Sequence, residues 1–181
     1  FKTDDIQNST ASILDLAAAL EIDLGEAAEF AGSLVRSFGL TTIDTQRIVD
    51  VMALSTSSSA LNFEALRESL KLVAPVAKAV NVPIEKTTAL LAVLADRGLK
   101  GSIAGTGLAK TFIMLSKQGM TLEQGLDKLN SSGGDLNTAI DMVGVVAAKT
   151  FLTLASGQGD IAGLEEAFNN ASGAAKTLAD E

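Results

Sequence analysis

Two features of the 181-residue sequence have the residue types for chemistry: the run Gly101-Ser102-Ile103-Ala104-Gly105-Thr106-Gly107-Leu108-Ala109-Lys110-Thr111, and 22 acidic residues. The glycine run invites a phosphate-binding loop. That motif needs Gly-Lys-Ser/Thr contiguous after a strand, whereas Leu108 and Ala109 separate Gly107 from Lys110 and a helix ending at Gly98 precedes it. A Gly-x-Gly outside a βαβ unit carries little weight. The carboxylates suit glycosidic hydrolysis, which needs one raised and one ionised Asp or Glu side by side. Solvated helix faces account for most such residues. Histidine and cysteine are absent, which removes the commonest general base, metal ligand and thiol nucleophile together. No residue is assigned a catalytic, cofactor-binding or metal-binding role, and the chain reads as a non-enzyme.

Hydrophobic residues make up 47% of the chain and aromatics only 4%, all of them Phe. An Ala- and Leu-rich chain with two prolines favours helices over strands, so the expected class is all-α, with one real core or two small ones in contact. The net charge is −8 and Lys71, Lys78, Lys86, Lys100, Lys110 and Lys117 lie singly, which argues against a nucleic-acid surface. Mean hydropathy is +0.31. Yet the best apolar run, Met142 to Ala148, sits between Asp141 and Lys149 and falls far short of the ~20 residues of a spanning helix. The chain opens abruptly at Phe1 with no charged leader, as an excised fragment would.

Punctuation divides the chain into about eight helices, which the residues above need as a frame. The first covers Asp4 to Leu20. Asp23, with Glu26 three residues on, caps a second that Gly39 stops, and Asp44 opens a third. Ser55 to Ser59 reads as a solvated hinge. Asn62 caps a fourth, in which Pro75 predicts a kink or break near Lys71 to Pro75. Pro83 starts a fifth that ends at Gly98. Ser102 caps a sixth through Lys117, closed by Gly119, and Thr121 with Gln124 makes a capping box. Asp135 and Asp160 read as caps for the last two or three helices. Within the sixth, Gly101, Ala104, Gly105 and Leu108 recur at spacings of three and four, so a second helix is expected to approach closely there.

Residues 16 to 38 lie over residues 76 to 98 with matching apolar positions at an offset of 60. After a slip the match continues, with Gly39-Leu40 against Gly98-Leu99 and Ile43 against Ile103. The expected organisation is two related helical hairpins (16–56 and 76–117) inside a core of residues 1–117. A C-terminal helical segment, 118–181, packs on it or leads into a longer chain.

Leu72-Val73-Ala74-Pro75-Val76-Ala77, Val82-Pro83-Ile84-Glu85-Lys86-Thr87-Thr88-Ala89-Leu90-Leu91, Asp96-Arg97-Gly98-Leu99-Lys100-Gly101-Ser102 and Ala104-Gly105-Thr106 follow one another in an order hard to reach by chance. This block resembles the core region of phage tail tape measure proteins, closely over residues 41 to 117 and loosely elsewhere. The matched positions are Pro75, Arg97, Gly98, Lys100, Gly101, Ser102, Ala104, Gly105 and Thr106. The sequence departs from the pattern at Gly107 to Lys110, where an arginine-containing helix start is expected.

The resemblance implies a structural protein of a phage or prophage tail, assembled in the bacterial host cytoplasm, that sets tail length as a ruler and helps genome passage. It implies no reaction and no cofactor. The implied partners are other copies of itself and tail tube or tail assembly proteins, with no nucleic acid and no membrane span in this segment. Two alternatives stand beside it: a helical interaction or pore-forming domain, from the apolar content, and a cell-wall hydrolase module of the carboxylate type.

Overall fold

Short aliphatic stretches punctuated by Gly, Asn and Asp can bury their apolar stripes only by stacking many short helices. The computed structural model describes residues 3–180, with side chains from residue 9 onward. Among the described residues there are eleven α-helices, one 3₁₀ turn (Thr42–Asp44) and no strand. The helices are α1 (Thr3–Ala19), α2 (Leu24–Phe38), α3 (Thr45–Ser58), α4 (Phe63–Ala79), α5 (Ile84–Asp96), α6 (Gly101–Lys117), α7 (Leu122–Ser131), α8 (Leu136–Val143), α9 (Val145–Ser156), α10 (Gln158–Asn169) and α11 (Ala174–Ala179). After α7 there are four helices where two or three are expected, and Gly144, at φ 79°, divides the apolar run 142–148 between two of them, α8 and α9. Those two helices bend by 119°, and among the described residues no single helix is long and apolar enough to cross a membrane.

The core is built around α5. Ile84, Glu85 and every residue from Thr87 to Ala95 are buried, so this helix has no solvent face beyond Lys86 and its last residue. Helices α3, α4, α6, α9 and α10 surround it. The charges that α5 carries are met by its neighbours: Glu85 by Arg47 of α3, Lys86 by Glu123 of α7 with Glu165 of α10 at 3.7 Å, and Arg97 by Asp160 of α10 at 2.8 Å.

Local signals explain most of the boundaries. Asp23 accepts from the N–H groups of Gly25 and Glu26 (2.7 and 3.3 Å), Asn62 from Ala65 (2.9 Å), and Asp135 from Asn137 and Thr138 (2.9 and 3.1 Å). Thr121 and Gln124 complete their reciprocal box. Four expectations need correction. The run Ser55–Ser59 is not a hinge: α3 continues through Ser58, and Ser55, Thr56, Ser57, Ser58 and Ser59 satisfy their hydroxyls on the carbonyls of Met52, Ala53, Leu54 and Ser55. Pro75 does not break α4, which runs unbroken from Phe63 to Ala79; Pro75 and Lys71 are both exposed, so water can reach the carbonyl left without its donor. Asp160 lies in the first turn of α10 rather than at its cap. Ser102 lies inside α6, whose cap position is Lys100.

Two turns recur among the first six helices. Glu21 (φ 52°) and Asn81 (φ 58°) are the non-glycine residues with positive φ among those described, and each turns the chain between a 17-residue helix and the next. In the first turn the Ile22 N–H reaches Ala17 O at 3.0 Å, and in the second the Val82 N–H reaches Ala77 O at 2.8 Å. At the next helix end, Leu40 N–H to Val35 O and Leu99 N–H to Leu94 O are both 2.8 Å, around Gly39 (φ 68°) and Gly98 (φ 82°).

The last helix is held back onto α1 and α3. Asp50 of α3 is 2% exposed, and its carboxylate accepts from the N–H groups of Gly173 (3.0 Å) and Ala175 (3.1 Å) and from Gln46 Nε2 (3.0 Å). Asp50→Ala leaves the buried N–H of Ala175 and the half-buried N–H of Gly173 unpaired and is expected to lower the unfolding free energy by about 1–3 kcal/mol, read as the urea midpoint; an unmoved midpoint would show that the clip contributes nothing. The Thr41 N–H donating to Asp44 (3.0 Å), with its hydroxyl and Arg47 adding to it, holds the Asp44 carboxyl below its ordinary range. A carboxyl lowered on folding adds stability that is complete above its unfolded value and drains as pH falls through the folded one. The urea midpoint should therefore fall between about pH 5 and about pH 2, and less steeply in Asp44→Asn.

Candidate functional site

A glycine inside a helix costs up to about 1 kcal/mol against alanine, so a helix carrying three of them needs a steric reason. In α6 the reason is contact on two sides. A Cβ on Gly105 would lie 2.6 Å from the carbonyl oxygen and 2.8 Å from the Cα of Ser69 in α4, so the two backbones touch. Ser69 seals the crossing: its buried hydroxyl lies 2.8 Å from Gly101 O and 2.7 Å from Ala65 O and shares its single proton between them. Gly107 faces the other way. Two residues turn a helix by roughly 200°, and a Cβ there would lie 2.8 Å from the Cβ of Thr150 in α9.

The sequence-predicted residues fall along one path into this crossing. Arg97 and Gly98 end α5, with Gly98 at φ 82° and Leu99 tucked into the core at 4% exposure. Lys100 is exposed and precedes α6; Gly101 (φ 58°) starts it, with Glu68 Oε2 lying 2.6 Å from where its Cβ would be. Ser102 is exposed, Ala104 and Gly105 are buried, and Thr106 is half-buried. Pro75 stands apart, on the solvent side of α4. The guanidinium of Arg97 spans to α10: besides binding Asp160 it lies over Gly157, whose Cβ would be 2.8 Å from Arg97 Cζ.

Sequence reasoning missed the Gly107–Thr150 crossing, the Asp50 clip and the place of Gly157 under Arg97. Only the first left a signal, since a glycine two positions after Gly105 must face a different neighbour.

No reactive arrangement accompanies these contacts. Among the described residues no three His, Cys, Asp or Glu side chains form a group able to hold a metal ion. The groove of about 430 Å³ between α2 and α4 is lined by Glu26, Glu29, Glu64 and Glu68, but Arg67 reaches both oxygens of Glu64 (3.1 and 3.0 Å) in its midst. A fixed cation among carboxylates is the reverse of the apolar setting that makes one of them a general acid. What the site does chemically is hold helices at backbone distance.

Gly105→Ala should therefore destabilise the fold by about 1–3 kcal/mol, and Gly105→Leu by more. Gly163→Ala, where a Cβ meets nothing within 4 Å, should be neutral or stabilising by up to about 1 kcal/mol. Thermal melts of the three variants check this, and equal melting temperatures would contradict the crossing.

Known proteins are similar to this sequence. The family model described as phage-related minor tail protein matches residues 1–151. The chain is 31% identical over 137 residues to the tape measure protein of Pneumococcus phage Dp-1, covering 76% of this chain and 12% of that one. It is 34% identical over 104 residues to the probable tape measure protein of Escherichia phage P2, covering 58% of this chain and 13% of that one. The chain thus spans about an eighth of the length of these curated relatives. No solved structure matches it. With the family model covering most of its length, the chain belongs to the phage-related minor tail protein family.

Proposed function

We propose that this chain is a compact helical module of a tape measure type protein, acting in tail assembly and tail length determination and contributing to genome ejection. The observation that carries this reading is the pair of relatives, both tape measure proteins and both about eight times longer than the stretch matched here. The module itself measures nothing. An α-helix rises 1.5 Å per residue, so its longest helices, of 17 residues, reach only about 25 Å. Length must come from the rest of such a chain, and this part supplies a folded head that nucleates or anchors.

The reading is non-enzymatic, with its place in the virion tail after assembly in the bacterial host cytoplasm. Its partners are other copies of itself and tail tube or tail assembly proteins, and a net charge of −8 disfavours contact with nucleic acid. Of the matched residues, Arg97, Gly98, Lys100, Gly101, Ser102, Ala104, Gly105 and Thr106 lie along the approach to the α4–α6 crossing and in its first turns, and Pro75 lies apart from it on the exposed side of α4. We also propose that α1–α3 and α4–α6 descend from one duplicated unit, which the paired turns at Glu21 and Asn81 and at Gly39 and Gly98 support.

In-frame deletion of this module from the phage gene is expected to abolish tails, whereas in-frame deletions elsewhere in the long chain should shorten them by roughly 1.5 Å per residue removed. Electron microscopy of lysates checks both, and tails of normal number and length without the module would overturn the reading.

A further inference from the structure

Helices α6 and α9 hold three exposed lysines, Lys110, Lys117 and Lys149, and no Asp or Glu. In a chain of net charge −8 this is a local reversal of sign, and among the described residues none of the three lysines forms an ion pair. They share one surface. Lys110, Ile113 and Lys117 recur at spacings of three and four on the side of α6 that α4 and α9 leave open. Helix α9 runs antiparallel beside α6: Thr150 packs at Gly107, while Gln118 Nε2 donates to Met142 O at 2.6 Å just ahead of α9. Val145, Val146 and Lys149 therefore stand next to the end of α6 that carries Ile113 and Lys117. The two valines are 75% and 61% exposed and Ile113 is 40% exposed, so apolar area and unpaired positive charge coincide.

The opposite chemistry lies across α2 and α4. Glu26, Glu29, Glu64 and Glu68 line the groove there against Arg67 and Lys71, and of these carboxylates Glu64 alone is held in an ion pair among the described residues. Two copies joined through the lysine surface itself would set like charges together, so a contact made by that surface has to join it to an unlike one. We propose that the surface of Lys110, Lys117 and Lys149 on one copy docks on the glutamate-lined groove between α2 and α4 of a second copy. One chain carries both halves of the complementary pair. The ammonium groups meet carboxylates that have no ion pair of their own, and Ile113, Val145 and Val146 lose their water at the same contact. This gives a surface to the self-association put forward above and rests on that reading.

Sedimentation equilibrium of the whole 181-residue chain at about 0.05 M salt, where exposed charges are weakly screened, should show mass rising with concentration, and less so at about 0.5 M. Reversing the lysines (Lys110→Glu, Lys117→Glu and Lys149→Glu together) or the groove (Glu26→Lys and Glu29→Lys together) should weaken association about tenfold or more in each variant alone. Mixing the two variants should restore it, because glutamates on one then face lysines on the other. All five positions are exposed, and thermal melts check that both variants fold. Failure to regain mass on mixing would overturn the proposal. So would association that survives the lysine reversal or is indifferent to salt, which leaves self-association standing through another surface. A native chain that stays monomeric to about 1 mM would overturn self-association as well. Retention of that monomer on phosphatidylglycerol vesicles or duplex DNA through the same lysines would assign the surface to a different occupant.

Discussion

The fold depends on the passage of α6 between α4, which it meets backbone to backbone at Ser69, and α9, which it meets at the side chain of Thr150. Gly105 meets Ser69 on one side and Gly107 meets Thr150 on the other, so α6 is clamped across its own diameter. Neither contact leaves room for a side chain. Because α4 and α9 are both fixed through α6, the first six helices and the C-terminal five share one scaffold. The hydroxyl of Ser69 adds direction to a contact that dispersion alone would leave free to slide, since it binds Gly101 O only in one register.

Beside that clamp lies the helix that fills the centre. A core of Ala, Leu and Val with few rings has to be made from many small contacts, and α5 shows how: it is buried on nearly every side among five other helices. Polar chemistry is kept at its ends and edges. Glu85 meets Arg47, Lys86 meets Glu123, and Arg97 meets Asp160. These pairs tie α5 to α3, α7 and α10, three elements distant in sequence. Each fixes orientation more than it adds stability, since part-exposed ion pairs are worth little on their own.

Much of this was legible before any coordinates. Capping residues such as Asp23, Asn62, Thr121 and Asp135 work within a few positions of themselves, so their role follows from neighbours alone. The left-handed glycines Gly39, Gly98 and Gly119 are of the same local kind. In the serine run polarity does not exclude helix, for Ser57 and Ser58 are exposed and still belong to α3. Ser55 is fully buried and its hydroxyl answers to its own helix, which composition does not reveal. Asp50 was illegible for the opposite reason, since its partners Gly173 and Ala175 lie over 120 residues away and offer only backbone N–H groups.

Steric exclusion also explains why the recognisable signature sits where it does. Along most of α2, α3 or α5 any aliphatic residue of fitting volume preserves the packing, so the residue chosen carries little information. At Gly98 a positive φ, and at Gly105 a backbone contact, leave one residue type without strain. Between them Gly101 combines both demands, with φ at 58° and Glu68 against its missing side chain. Between Arg97 and Thr106, geometry alone sets what Gly98, Gly101 and Gly105 can accept. A sequence match there reports the helix crossing itself, and any protein bearing the run in this order is expected to bring its two flanking helices to the same distance.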